Sequence, residues 1–526
     1  MATSALEVPV PARGHPIGLA ALFFTELWER FSYYGMRALL VLYLVSTFKM
    51  ERDDALAIYA AYTGLVYLTP LIGGRLADRF LGQRRAIFIG GILMALGQFA
   101  LMLTTLKGAE GLVPLGPDAL RNLGLGLLIA GNGFFKPNIS SMVGSLYPDN
   151  DPRKDTAYTI FYMGINTGAL VAPLVCGYLG ENWGWEWGFG AAGVGMVLGL
   201  ITFVFTQRTL QGNGLPPGRE KAYHGVLNAT DWVSIVVWSV LGFGLVYGGL
   251  MSWPWLQSVW TPPAIQKASP VVIEIPVLTV LWKGFVLVGL LALFLWLTEP
   301  RGAAKAALAH EPLTREDWGR ITVIGIISLF SIVFWMGFEQ SGGTFNLFAL
   351  EKTDRFIGSW EFPTSWMQAI NAAFILIFAP MFVALWTYLA RHQMDPPSFA
   401  KQGLGLLILA AGFGIMYVAS ERAETHKVSW LWLFAVYVTF TAAELCISPI
   451  GLSLVNKLAP PQLASLMMAF WFLCTAAANY LAGIVEALVE PLHWNLWIFL
   501  GTMAAVPGLL MLVLTPVLRR MSHGRA

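Results

Sequence analysis

Runs of apolar residues long enough to cross a bilayer recur from one end of this chain to the other, and that recurrence leaves little choice of fold. A membrane-spanning helix needs about 17–25 predominantly apolar residues. Stretches of that kind cover residues 17–48, 54–77, 85–106, 119–143, 157–179, 186–207, 230–253, 277–298, 320–348, 364–390, 402–420, 429–456, 463–489 and 494–517. They are too long, and too uniformly apolar, for the alternating strands of a membrane β-barrel. Charged residues make up only 12% of the chain and hydrophobic ones 56%, whereas soluble domains carry about 25% charged residues. The pattern predicts an all-α polytopic membrane protein with about fourteen transmembrane helices.

With the amino terminus placed inside, the inward segments collect 20 Lys and Arg and the outward loops 9. By the positive-inside rule both termini are cytoplasmic. The first apolar run is long and interrupted by charges, so no cleavable signal is expected. Cys176, Cys446 and Cys474 all fall within spans, at spacings that suit neither a metal site nor a disulfide framework, and read as packing residues. Nothing calls for a metal, a cofactor or a nucleic-acid partner, and a monomer is expected.

The spans group as six, then two with almost no internal charge, then six. The expected organisation is an N-terminal six-helix bundle over 1–212, a linker with two additional helices over 213–312, and a C-terminal six-helix bundle over 313–526. Paired bundles that rock about a midplane site are a common transporter architecture. The charges of the inserted pair, Asp231 and Lys283, lie near span ends, where snorkelling makes charge cheap.

The first span is less simple. FFTELWERFSYYGMRALL carries Glu26, Glu29, Arg30 and Arg37, and a charge near a helix centre costs about 2.5–3.5 kcal/mol on the insertion scale. Glu26, Glu29, Arg30, Tyr33, Tyr34 and Arg37 share one helical face. One reading is an ion-paired stripe that binds this helix to a neighbour, with Glu26 and Arg30 as an i,i+4 pair. The other is one wall of an aqueous cavity with protonatable acids, which better explains two acids, two bases and a row of hydroxyls.

Further buried ionisable groups occupy equivalent places in the two halves. Lys136 lies in the fourth span, in GNGFFKPNISS, and Glu444 in its counterpart, in FTAAELCISPIGLS; Glu339, in FWMGFEQSGGTF, lies on the first helix of the second half. A basic wall (Arg30, Lys136) would face an acidic one (Glu444, Glu339), which suits a zwitterion with separated charges; a single buried Lys136–Glu444 ion pair is the simpler alternative. Asn166 and Asn371 could contact a ligand or bond between helices, and Tyr67 and Trp471 could line a cavity or pack. The glycines of GLGLLIAGNG fit close helix packing, because no strand precedes them as a nucleotide loop would require. In GGRLADRFLGQRRA, Asp78 and Arg79 could cap helices or form a cytoplasmic latch. No HExxH and no recognisable triad motif occurs, so an enzyme is not expected.

At these residues the chain resembles the proton-dependent oligopeptide transporter family of the major facilitator superfamily. ELWER followed by FSYYG, GGRLADRFLG, and FYMGINTGALVAPLVCGYL are similar to the family's signatures, and GFFKPN and ELCISPIGLS to its segments bearing Lys and Glu. The resemblance implies proton-coupled import of di- and tripeptides through twelve core spans, plus the two extra helices typical of bacterial members. The short segment Ser420 to Ser429 leaves no room for the outer domain of animal members, so a bacterial inner membrane is implied. Carried over, the family assigns proton coupling to Glu26, Glu29, Arg30 and Glu339. It assigns the peptide carboxylate to Arg30 and Lys136, the peptide amine to Glu444 with Asn166 and Asn371, and pocket lining to Tyr33, Tyr34, Arg37, Tyr67 and Trp471. An anion carrier of the same superfamily is the alternative; it would use Arg30 and Lys136 without needing Glu444.

Overall fold

A computed structural model describes residues 14–108, 115–148, 151, 153–216, 227–260, 313–460 and 463–523. In lipid every backbone polar group must be satisfied within the segment, and the apolar runs are accordingly helical. The first half comprises α1 (Ile17–Thr47), α2 (Arg52–Leu81), α3 (Gln83–Leu103), α4 (Pro117–Ser145), α5 (Arg153–Asn182) and α6 (Trp185–Leu210). α7 (Ala229–Trp260) follows. The second half comprises α8 (Arg315–Glu351), α9 (Thr364–Arg391), α10 (Ser398–Arg422), α11 (Leu431–Leu458), α12 (Leu466–Leu492) and α13 (Leu496–Met521). The expected span at 277–298, with Lys283, lies outside the described residues. Ten of the described helices are long and apolar enough to cross a membrane by composition alone; α1, with its four charges, α4 and α7 fall outside that set.

Local chemistry fixes the ends. Thr314 and Asp317 form a reciprocal capping box at the start of α8, and the Asn495 side chain accepts from the amides of Trp497 and Ile498 at the start of α13. Gly82 turns the chain between α2 and α3 at φ +74°, where a Cβ would meet Leu215 and Pro216 backbone at 2.6–2.7 Å. Several helices contain irregular turns, and those in α5 and α8 border the interior. α2 ends in a π turn at Ala77–Leu81, α5 contains one at Pro173–Gly177, and α8 tightens to a 3₁₀ turn at Glu339–Gly342.

Within the halves α1 packs on α5 and α6, α3 on α4, and α10 on α11 and α13; between halves α2 packs on α12 and α5 on α9. The connections are short, so alternate helix ends gather at the same side. We call the side where α1 finishes distal and the side where it begins proximal. Among the described residues, the polar contacts between halves lie toward the distal side. Arg52 pairs with Glu486 (2.6 Å) and Glu351 (3.2 Å), and Asn346 donates to the Ala38 carbonyl (3.1 Å). The Trp366 indole donates to the Leu174 carbonyl (3.1 Å). Glu181, at the end of α5, accepts from the Thr364 amide (2.7 Å), the Ser365 amide (2.9 Å) and the Ser365 hydroxyl (2.6 Å), and so caps α9 of the other half.

α7 lies outside the twelve, against α3 and α4, and exposes Val233, Val236 and Val240 on its far face. Its Asp231 does not snorkel as expected. It is buried, pairs with Arg85 of α3, and accepts from the Asn228 amide at 2.8 Å. The Arg that faces it makes the interior cheaper than the interface, a partner that spacing within α7 alone does not reveal.

Candidate functional site

Between the halves lies a cavity of about 320 Å³. The charged face of α1 supplies one side. Arg30 Nε is 3.0 Å from Glu26 Oε1 and also bonds Glu29, so one guanidinium serves two carboxylates. Seven residues on, Arg37 pairs with Glu339 at 2.5 Å and donates to the Tyr59 hydroxyl at 2.9 Å. The 3₁₀ turn of α8 places Glu339 there, so the first helices of the two halves are joined by a buried ion pair. Breaking such a pair by removing one member costs about 3–5 kcal/mol, because the other charge stays buried.

The walls beyond α1 differ in sign. Lys136 of α4 stands over the Tyr67 ring, 4.4 Å from its centroid, with no carboxylate within 4.0 Å among the described residues. Across the cavity Glu444 of α11 accepts from Asn371 of α9 at 3.0 Å, and Asn371 also donates to the Thr441 hydroxyl at 3.0 Å. Among the described residues Glu444 has no cation within 4.0 Å, and it does not pair with Lys136. Two opposite charges thus line one cavity without neutralising each other. That arrangement is costly in a medium of low polarity unless something else supplies the counter-charges.

Glu26, Arg30, Tyr34, Arg37, Tyr67, Lys136, Asn166, Glu339, Asn371, Glu444 and Trp471 all line this cavity. Two expected residues do not. Tyr33 is buried behind it, stacked on Tyr62 and edge-on to Tyr34, because on α1 it points toward α2. Glu29 is fully buried between Arg30 and Asn132, whose Nδ2 donates to Glu29 Oε1 at 3.3 Å. Asp78 and Arg79 are remote from the cavity, exposed in the π turn at the proximal end of α2, with Arg79 over the Phe80 ring at 5.2 Å. Of the expected basic wall, Arg30 and Lys136 both line the cavity; Arg30 is matched by two acids, whereas Lys136 has no carboxylate within 4.0 Å among the described residues.

Other lining residues were not singled out from the sequence, among them Tyr162, Trp335, Phe338, Gln368 and Tyr437. Two were within reach: Tyr162 precedes Asn166 by one turn and accepts its side-chain bond on the carbonyl at 2.9 Å, and Gln368 precedes Asn371 by three residues. Trp335, Phe338 and Tyr437 had no signal that separates lining from packing. The glycines of α4 do serve close packing, with Gly124 against Gly97 and Gly131 against Gly90.

A sequence model of the POT family matches residues 84–229 and 304–496. The chain belongs to the POT family. Among similar proteins is the peptide transporter YePEPT of Yersinia enterocolitica subsp. palearctica, 35% identical over 486 residues that cover 91% of this chain and 88% of that one. Another is a di-/tripeptide transporter of Lactococcus lactis subsp. cremoris, 32% identical over 97% of this chain and 98% of the relative. Of the solved structures, a peptide transporter POT in complex with sulfate superposes with a TM-score of 0.76 at 32% identity, covering 97% of both chains. This POT family member is therefore a multi-pass membrane transporter with the major facilitator fold.

Proposed function

We propose that this POT family member is a proton-coupled symporter that imports di- and tripeptides by alternating access. The observation that carries the reading is the pair Lys136 and Glu444, opposite charges that line one cavity unpaired. A zwitterionic peptide supplies both missing partners at once, its carboxylate to Lys136 and its amine to Glu444 with Asn371. Asn166, Tyr34, Tyr67 and Trp471 then border the backbone and side chains. The family and the peptide-transporting relatives support the same substrate class.

Coupling needs two ligands that bias one bistable structure. Two carboxylates share Arg30, so a proton taken up by Glu26 or Glu29 loosens the guanidinium toward the peptide carboxylate. Protonation of Glu339 releases Arg37 and with it the α1–α8 junction. Release of peptide and proton on the far side lets the ion pairs reform. With both termini cytoplasmic, the distal side faces outward, Asp78 and Arg79 lie at the inner end, and the contacts described above hold the outer side shut. Each chain carries a complete cavity and functions as a monomer in the bacterial inner membrane, with 1–212 and 313–526 as the rocking bundles and 213–312 as an insert. A potential of 100 mV is worth about 2.3 kcal/mol per charge moved, roughly fiftyfold accumulation.

Competition for uptake tests the assignment. Ala-Ala should compete, whereas N-acetyl-Ala-Ala, Ala-Ala amide and free alanine should each lose at least about tenfold in apparent affinity, the value of one charge-assisted bond. Equal competition by all four compounds removes the two-wall site, and competition by nitrate alone would favour an anion carrier.

A further inference from the structure

Glu29 is the carboxylate of the α1 stripe that the cavity does not reach, and a side chain from another helix stands against it. Asn132 of α4 is 1% exposed and donates from Nδ2 to Glu29 Oε1 at 3.3 Å, while its own Oδ1 has no hydrogen-bond partner among the described residues. Its position is fixed from both sides. A Cβ on Gly131 would meet the Gly90 carbonyl at 2.5 Å, and one on Gly133 would meet Thr69 Cβ at 2.8 Å, so the backbone of α4 is clamped between α2 and α3 at this turn. Lys136 follows one turn later on the same helix.

An amide is both donor and acceptor, whereas a carboxylate only accepts and a carboxylic acid also donates. In the present arrangement Nδ2 serves an ionised Glu29 and Oδ1 is left over. A half-turn of the amide presents Oδ1 to Glu29 in place of Nδ2, and the O–H of a protonated Glu29 then has an acceptor. Rotation of one side chain thus satisfies either protonation state without movement of the clamped backbone. The charged and titratable groups facing Glu29 are Arg30 and Glu26 from α1, Lys136 from α4 and Tyr62 from α2. Of these only Tyr62, as a neutral phenol, can both give and accept a hydrogen bond: ionised Glu26 only accepts, and Arg30 and Lys136 only donate.

We infer that Asn132 is a positioning residue for proton coupling, a two-state hydrogen-bond partner that holds Glu29 against the helix bearing Lys136 whether Glu29 is ionised or protonated. This rests on the proton-coupled reading above. It goes beyond it by assigning the link between the stripe on α1 and the α4 wall to one uncharged side chain.

The test is the pH dependence of gradient-driven Ala-Ala uptake in proteoliposomes, beside peptide counterflow at one low pH. Asn132→Asp keeps the shape but withdraws the donor and adds a like charge; Asn132→Leu withdraws donor and acceptor. Both penalise ionised Glu29, so the outer pH of half-maximal uptake should rise by about half a unit or more. The peptide KM in counterflow should stay within about twofold of the parent. Asn132→Ser, which retains both hydrogen-bonding roles, should bring the midpoint part of the way back. Midpoints unchanged in Asp and Ser variants that still transport would overturn the assignment, as would loss of counterflow equal to the loss of driven uptake. Should Asn132→Leu fail to fold, the Asp and Ser variants decide by themselves. Absence of pH-driven uptake in the parent protein would instead overturn the proton-coupled reading itself.

Discussion

Glu181 offers a perturbation whose size can be worked from the structure. Its carboxylate receives two backbone amides and one hydroxyl at 2.6–2.9 Å from the start of α9. Arg355 stands 3.9 Å away and is itself held by the Phe362 carbonyl and by Glu361. Opening the distal side must break the whole set. Only the difference between closed and open states counts, and in the open state the same groups are hydrated. We therefore take the net value as that of a single charge-assisted hydrogen bond, about 1.5–3 kcal/mol. That corresponds to roughly a ten- to 150-fold change in the closed-to-open ratio. The assay uses a cysteine-free background with Leu347→Cys as reporter, since Leu347 is wholly buried and packs among residues of the first half. When opening limits labelling, the rate with a membrane-impermeant maleimide follows the open fraction. Glu181→Ala should accelerate labelling at least about tenfold, Glu181→Gln less because an acceptor remains, and Ser365→Ala least because both amides still donate. Equal rates in all folded variants would refute the view that this cap holds the distal side shut.

Three further outcomes follow from named contacts. Gly73→Ala should lower thermal stability in detergent by about 1–3 kcal/mol or more, since its Cβ would collide with the Gly133 carbonyl, which is backbone and cannot rotate away; an unchanged melting temperature would contradict that close approach. Asp231→Ala should destabilise by up to about 3–5 kcal/mol by leaving Arg85 half-buried without its carboxylate, yet spare the KM for peptide because α7 lies outside the cavity. Glu29→Gln should retain peptide counterflow and lose accumulation driven by a pH gradient, whereas Arg30→Ala should impair both; both modes are measured in the same liposomes.

What the sequence made legible has a physical boundary. Long apolar runs report spans because lipid forbids other backbone states, and charges in α1, α4, α8 and α11 report a polar interior because they are too costly to face lipid. Eleven of the residues expected at a site do line one cavity, Glu26 and Glu444 among them. Pairing between helices was not legible. That Arg37 meets Glu339, that Asp231 meets Arg85 and that Glu181 caps α9 each depend on how distant segments are brought together. Periodicity also failed to separate Tyr33 from Tyr34: adjacent positions on a helix differ by about 100° of rotation, enough to send one ring into the core and the other to the cavity.

The central claim is that a proton gradient drives peptide through the cavity between Lys136 and Glu444. Its most direct test is uptake of labelled Ala-Ala into proteoliposomes of the purified protein under an imposed inward pH gradient. The account predicts transient accumulation above the external concentration, abolished by a protonophore and absent with Lys136→Ala or Glu444→Gln. Equilibration to the external concentration only, with or without the gradient, would contradict it.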